Sequence, residues 1–166
     1  GFGFRDLGLI SNRTIFENVD LPARYHEYYK KGDTSGSLAV KALRDLGVNE
    51  AHWSKRPPHV NFNIRKRVLL ARAAVLDPKI FLLDEPTAQL ESEMGPEILK
   101  WISAKKERGS SFLISCSDYP FSLATANWLV DPKNNTVSKN GTGIVDEAWQ
   151  QSAVLLQRLS ERPGHT

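Results

Sequence analysis

The sequence predicts an α/β fold organised around a parallel sheet, and three observations predict it. Lys79-Ile80-Phe81-Leu82-Leu83 is an apolar run too short for a helix that closes abruptly on Asp84-Glu85-Pro86, which suits a strand buried on both faces. Ser111-Phe112-Leu113-Ile114-Ser115 reads as a second buried strand. Stretches with helical spacing precede and separate the two, the alternation that generates parallel strands.

Taken in order, Gly1 to Phe4 alternates small and aromatic residues and is weakly strand-like. A loop through Ser11-Asn12-Arg13-Thr14 leads into Ile15 to Pro22, and Tyr25 to Asp33 is polar and aromatic. A short helix follows: Ser37 can cap it, Leu38, Ala42 and Leu46 recur at helical spacing, and Gly47 can close it. Lys55 to His59, with two prolines, is a connector. The segment from Ile64 to Leu76 predicts a helix that is apolar on most sides apart from Arg65, Lys66, Arg67 and Arg72, hence buried along much of its length and stopped by Asp77-Pro78. After the central strand, Met94, Ile98, Trp101 and Ile102 mark one face of a helix whose other face carries Lys100, Lys105 and Glu107, and Gly109 ends it. Beyond the second strand come a short helix from Phe121 to Ala126, a strand at Trp128 to Val130, a turn at Asp131 to Asn135, a strand at Thr136 to Lys139 and an Asn140-Gly141 turn. A last helix is expected from roughly Asp146 to Ser160, with Trp149, Ala153, Leu156 and Leu159 on one side, before a fraying tail.

Composition narrows the function. At 166 residues and 40% hydrophobic, the chain suits one ordinary core and a single soluble domain. A net charge of +3 with both signs interspersed argues against a dedicated nucleic-acid surface. The longest apolar run, near Val68 to Leu76, is interrupted by Arg72, so any membrane role is expected to be peripheral. The amino terminus lacks the pattern of a secretory signal. Cys116 is the single cysteine, which excludes an internal disulfide and fits a reducing compartment. His26, His52, His59 and His165 show no metal spacing, and no internal repeat or low-complexity tract is present.

The chemistry concentrates at the end of the central strand. The carboxyl edge of an open α/β sheet is where ligands bind, and Asp84 and Glu85 fall there. Asp84 is a candidate ligand for Mg²⁺, which keeps much of its water and takes one or two protein carboxylates. Glu85 is a candidate to orient or deprotonate an attacking water. The same residues also read as a strand closing on a solvated Asp-Glu-Pro turn, or as an acidic pair capping the next helix.

Around them, Arg65-Lys66-Arg67-Val68-Leu69-Leu70-Ala71-Arg72-Ala73 upstream, Leu82-Leu83-Asp84-Glu85-Pro86 in the strand and Thr87-Ala88-Gln89-Leu90-Glu91 downstream form an ordered series. The series resembles the stretch from signature helix through Walker B to D-loop of ATP-binding cassette (ABC) ATPases. The resemblance implies a P-loop NTPase-like sheet with a helical subdomain: a partial ABC ATPase domain over 1–166, with the helical subdomain and signature helix at 14–78 and the Walker B to carboxyl-terminal part at 79–166. It makes Asp84 the Walker B aspartate and metal ligand, and Glu85 the catalytic glutamate. It implies ATP and Mg²⁺ as cofactors, a second nucleotide-binding subunit as partner, and a cytoplasmic place on the inner face of the membrane. The segment Thr14-Ile15-Phe16-Glu17-Asn18-Val19-Asp20-Leu21-Pro22 looks like the one after the Q-loop, and is nearest in look to ATPases of bacterial envelope lipid trafficking or cell division. In that family it borders the groove for a membrane-spanning transporter subunit, which implies such a partner near Ile15 to Pro22.

Several family positions differ here. No G-x-x-x-x-G-K-[ST] phosphate loop, the Walker A motif, occurs in these residues, and on the resemblance the chain starts at the Q-loop; a fragment of a longer polypeptide is the expectation, because a parallel sheet without its cover is rarely stable. Arg5 stands at the Q-loop glutamine. The signature LSGGQ aligns with Val60-Asn61-Phe62-Asn63-Ile64, where Phe62 replaces a glycine that lets the helix approach a γ-phosphate. Ser117 stands at the switch histidine. The resemblance thus carries the cofactor-contacting positions onto Arg5, Asn61, Asn63 and Ser117. It implies an ATP-binding transport subunit with a degenerate site; the competing reading is a pseudo-ATPase scaffold that binds no nucleotide. A role in DNA repair or translation is disfavoured by length and charge.

Overall fold

The computed structural model describes residues 1–3, 8–26, 36–90 and 94–140, with Met94 described by its backbone alone. Arg5, the stretch 27–35, Gly141 and the expected helix from Asp146 to Ser160 lie outside the described residues. The described chain falls into two compact units, the first running from Gly1 to Asp118 and the second beginning at Tyr119.

The two apolar runs form strands as expected. β1 (Phe2–Gly3), β2 (Ile80–Asp84) and β3 (Ser111–Ser115) make a parallel sheet in the order β1-β2-β3. Leu82 stands opposite Phe2 and Leu113, Leu83 opposite Gly3 and Ile114, and Asp84 opposite Ser115. Alternation along a strand then assigns Phe81, Leu83, Phe112 and Ile114 to one face and Phe2, Ile80, Leu82 and Leu113 to the other.

Burial on both faces does not hold. Phe81 and Leu83 are buried, whereas Ile80 is 61% and Leu113 67% exposed. The helices that follow explain this. A Cβ on Gly3 would meet Leu83 and then Leu70 of α3 (Phe62–Ala74), which places α3 on the Phe81 face. Phe81 stacks on Phe112 with centroids 4.7 Å apart, and Trp101 of α4 (Met94–Glu107) meets both rings edge-on, which places α4 on the same face. β3 is likewise half-covered rather than buried.

Three helices pack together beside the sheet. α1 (Ile15–Tyr25) turns Ile15, Val19 and Ala23 inward, and α2 (Ser37–Asp45) and α3 pack against it. The sequence reading gave no helix at Ile15 to Pro22, yet a capping box starts one: Thr14 accepts from the Glu17 N–H at 3.1 Å while the Glu17 carboxylate accepts from the Thr14 N–H at 2.7 Å. Those bonds also hold the Glu17 carboxyl below its ordinary range. The buried Asn18 amide is satisfied by Ile10 and Thr14, accepting from the Ile10 N–H at 2.7 Å and donating to the Thr14 carbonyl at 2.8 Å.

α2 corrects a second expectation. Its N-cap is Gly36, in the left-handed region at φ +58°, and Ser37 is the first helical residue with no capping bond from a side chain. Gly47 does close the helix, at φ +64°, its N–H donating to the Arg44 carbonyl at 2.9 Å. A Cβ there would lie 2.5 Å from Arg67 Nη1, which donates to the Leu46 carbonyl at 3.0 Å.

α3 begins two residues before its expected start, because the Asn61 side chain accepts from the Ile64 N–H at 2.9 Å. In α4, Lys105 is not on the outer face: it is 4% exposed and donates to Asp77. In the second unit, α5 (Tyr119–Thr125) is followed by the antiparallel pair β4 (Trp128–Asp131) and β5 (Thr136–Lys139), joined by a turn in which Asp131 accepts from the Lys133 N–H at 2.9 Å. No helix among the described residues is long and apolar enough to cross a membrane.

Candidate functional site

The in-register pairing of β2 with β3 sets Asp84 beside Ser115 at the carboxyl edge of the sheet, and Ser115 Oγ donates to the exposed Asp84 carboxylate. The chain then turns sharply. Glu85 sits at φ +47°, a left-handed conformation that costs a non-glycine residue about 1–2 kcal/mol. Three contacts hold it there. Its N–H donates to the Ser115 carbonyl at 2.9 Å, its carbonyl accepts from Lys66 Nζ at 2.7 Å, and its carboxylate accepts from Ser117 Oγ at 3.1 Å.

Lys66 escaped the sequence reading, which grouped it with the polar residues of its helix. It is 1% exposed, and an ammonium is taken out of water only against a substantial desolvation cost. The turn of α3 that follows it carries the buried Val68, Leu69 and Leu70. The signal available in the sequence was a lysine three and four residues before Leu69 and Leu70, on the same side of the helix as that apolar run. Its place one helical turn after Asn63 makes α3 the mechanical link between the Asn61 end of the helix and the Glu85 backbone.

The structure therefore brings Asp84, Glu85 and Ser117 together and ties α3 to them. Asn61 is committed to its cap and exposed, Asn63 is half-buried, and Arg5 lies outside the described residues. Phe62, at the mouth of α3, carries the Arg65 guanidinium over its ring at 5.8 Å. Next to the acids, the Thr87 hydroxyl and Cys116 thiol are 3.7 Å apart.

Chemically, two carboxylates and two hydroxyls at one strand edge form a hard oxygen surface. No group of three or more His, Cys, Asp or Glu side chains poised for a metal exists among the described residues. One exposed aspartate oxygen with a neighbouring hydroxyl fits Mg²⁺, which fills most of its shell with water and phosphate oxygens. It does not fit a cation that demands a full protein cage.

No protein-family model matches the chain. The chain is 27% identical over 139 residues to the histidine/lysine/arginine/ornithine transport ATP-binding protein HisP of Escherichia coli (strain K12), covering 83% of this chain and 53% of HisP. It is 35% identical over 122 residues to the ABC transporter ATP-binding protein YtrE of Bacillus subtilis (strain 168), covering 71% of this chain and 50% of YtrE. Among solved structures it is similar to the dimeric ATP-binding cassette MJ0796 in a post-hydrolysis state bound to ADP and Pi, with a TM-score of 0.76 and 25% identity over 84% of this chain and 62% of that one. The chain spans about half the length of these curated relatives.

Proposed function

The chain belongs to the ATP-binding proteins of ABC transporters and has their P-loop NTPase fold, and from that premise we propose that it is an ATP-binding subunit of a membrane transport complex, with a degenerate nucleotide site. The observation that carries the site is Glu85, fixed at its nitrogen, its carbonyl and its carboxylate in a conformation its own backbone disfavours. Mg·ATP, when bound, brings the scissile phosphate and a cation that offsets its charge. In this reading Asp84 offers an oxygen to the cation. Glu85 accepts a proton from, or orients, the attacking water. Ser117 sets the Glu85 carboxylate by donating to it, where a histidine would also have carried charge. Arg5, Asn61 and Asn63 are the remaining positions for contact with nucleotide.

Phe62 makes the site degenerate in this reading. Its ring stands where the family has glycine and blocks close approach of the α3 amino terminus to a phosphate held by a partner subunit. A second nucleotide-binding subunit completes the dimer. A membrane-spanning subunit docks near Ile15 to Pro22 on the outward side of α1, where Leu21 is exposed while Ile15 and Val19 belong to the core. The protein then works in the cytoplasm, peripherally on the inner face of the membrane.

Steady-state phosphate release with Mg·ATP, using a Glu85→Gln control, tests this. Slow or absent turnover by the homodimer is expected, and brisk Glu85-dependent turnover overturns the degenerate site. Phe62 favours one competing reading, a scaffold without nucleotide. Equilibrium titration with a fluorescent ATP analogue separates the two, since micromolar binding removes the scaffold.

A further inference from the structure

A cleft of about 400 Å³ opens where the end of α2 meets α3 and α4, in the first unit and lined by none of Asp84, Glu85 or Ser117. That volume is within the range of small-molecule sites. Its apolar lining comes from Leu46, Ile98, Trp101 and Ala104. Its charges are unbalanced once the ion pairs are assigned. Both carboxylates are neutralised, Asp45 by Lys41 at 3.0 Å and Glu97 by Arg67. Arg44 is engaged by Glu50 at 2.7 Å and Lys105 by Asp77. Lys100 and Arg108 remain, exposed and with no ion-pair partner among the described residues.

Lys100 lies on α4 and Arg108 is the residue that follows its last one, a separation that their long side chains can close onto one group. Trp101 lies between them in sequence and is 6% exposed. The cleft therefore presents an apolar floor and two positive charges.

We propose that this cleft binds an organic phosphomonoester carrying an apolar ring. The phosphate, at about two negative charges near neutral pH, matches Lys100 and Arg108, and the ring covers the apolar lining of Trp101, Ile98 and Ala104.

Isothermal titration of the purified protein with 1-naphthyl phosphate, with 1-naphthol and inorganic phosphate as parallel arms, tests the assignment. One saturable site for 1-naphthyl phosphate is expected, with either parallel compound bound at least about tenfold more weakly. K100A/R108A should weaken binding by about tenfold or more. Circular dichroism establishes that the variant is folded. Absence of a saturable site, unchanged affinity in the folded double variant, or equal affinity for 1-naphthol or inorganic phosphate overturns the proposal.

Discussion

The two faces of the three-stranded sheet are made from the same kinds of side chain and meet opposite surroundings. On one, Phe81 and Leu83 are buried and Phe81 is clasped between Phe112 and Trp101. On the other, Phe2, Ile80 and Leu113 are each more than half exposed. Apolar character made both faces able to be buried; the crossover helices decided which one was. The packing energy of the sheet is therefore one-sided, and substitutions should divide accordingly.

The largest effect belongs to Phe81→Ala, which removes a fully buried ring and leaves its two aromatic partners facing a void. We expect a loss of about 3–5 kcal/mol by urea denaturation. A loss under about 1 kcal/mol would break the comparison.

Asp77→Asn should come next. Asp77 lies in the α3–β2 connection at φ +46°, where asparagine is well tolerated, and holds the buried Lys105 that fastens α4 to the covered face. Because the Asp77 side chain itself is well exposed, we expect only about 1 kcal/mol at neutral pH. The Lys105 hydrogen bond holds the Asp77 carboxyl below its usual range. A carboxyl whose folded pKa is depressed contributes stability that is complete above its unfolded value, near pH 4, and is lost as pH falls through the folded one. The gap between wild type and Asp77→Asn should accordingly shrink as pH falls below about 4; a gap that stays constant on acidification would remove the ion pair from the account.

The smallest effect belongs to the open face. Leu113→Thr places a β-branched, strand-favouring residue in β3 and should change stability by no more than about 0.5 kcal/mol, while reducing binding of an apolar dye. A loss comparable to Phe81→Ala would mean that this face is covered in solution.

Much of this was legible in the sequence. Two short apolar runs gave β2 and β3, and helical spacing gave most of α3 and α4, because each signal is local and strong. The meeting of Asp84, Glu85 and Ser117 followed from two parallel strands ending side by side. What escaped was decided by neighbours far along the chain. Lys105 was read as outward from its charge, although its four-residue spacing from Trp101 put it on the inner face, where Asp77 is its partner. α1 was hidden by Pro22 within it, despite the Thr14–Glu17 cap. Ser37 and Gly36 were exchanged as caps because the left-handed turn suits glycine. The open sheet face had no sequence signal, since periodicity shows what is apolar and not what lies on top.

Glu85 has a consequence for how the turn after β2 came to be composed. Left to its own folding preferences, a position with φ of +47° would be filled by glycine or asparagine. A long, charged residue there works against the turn, and the serine, the lysine and the strand carbonyl that hold it are the rest of the molecule compensating for that choice. Glycine or asparagine would relax the spot; on the function proposed above, the acid is kept there for the water it would orient.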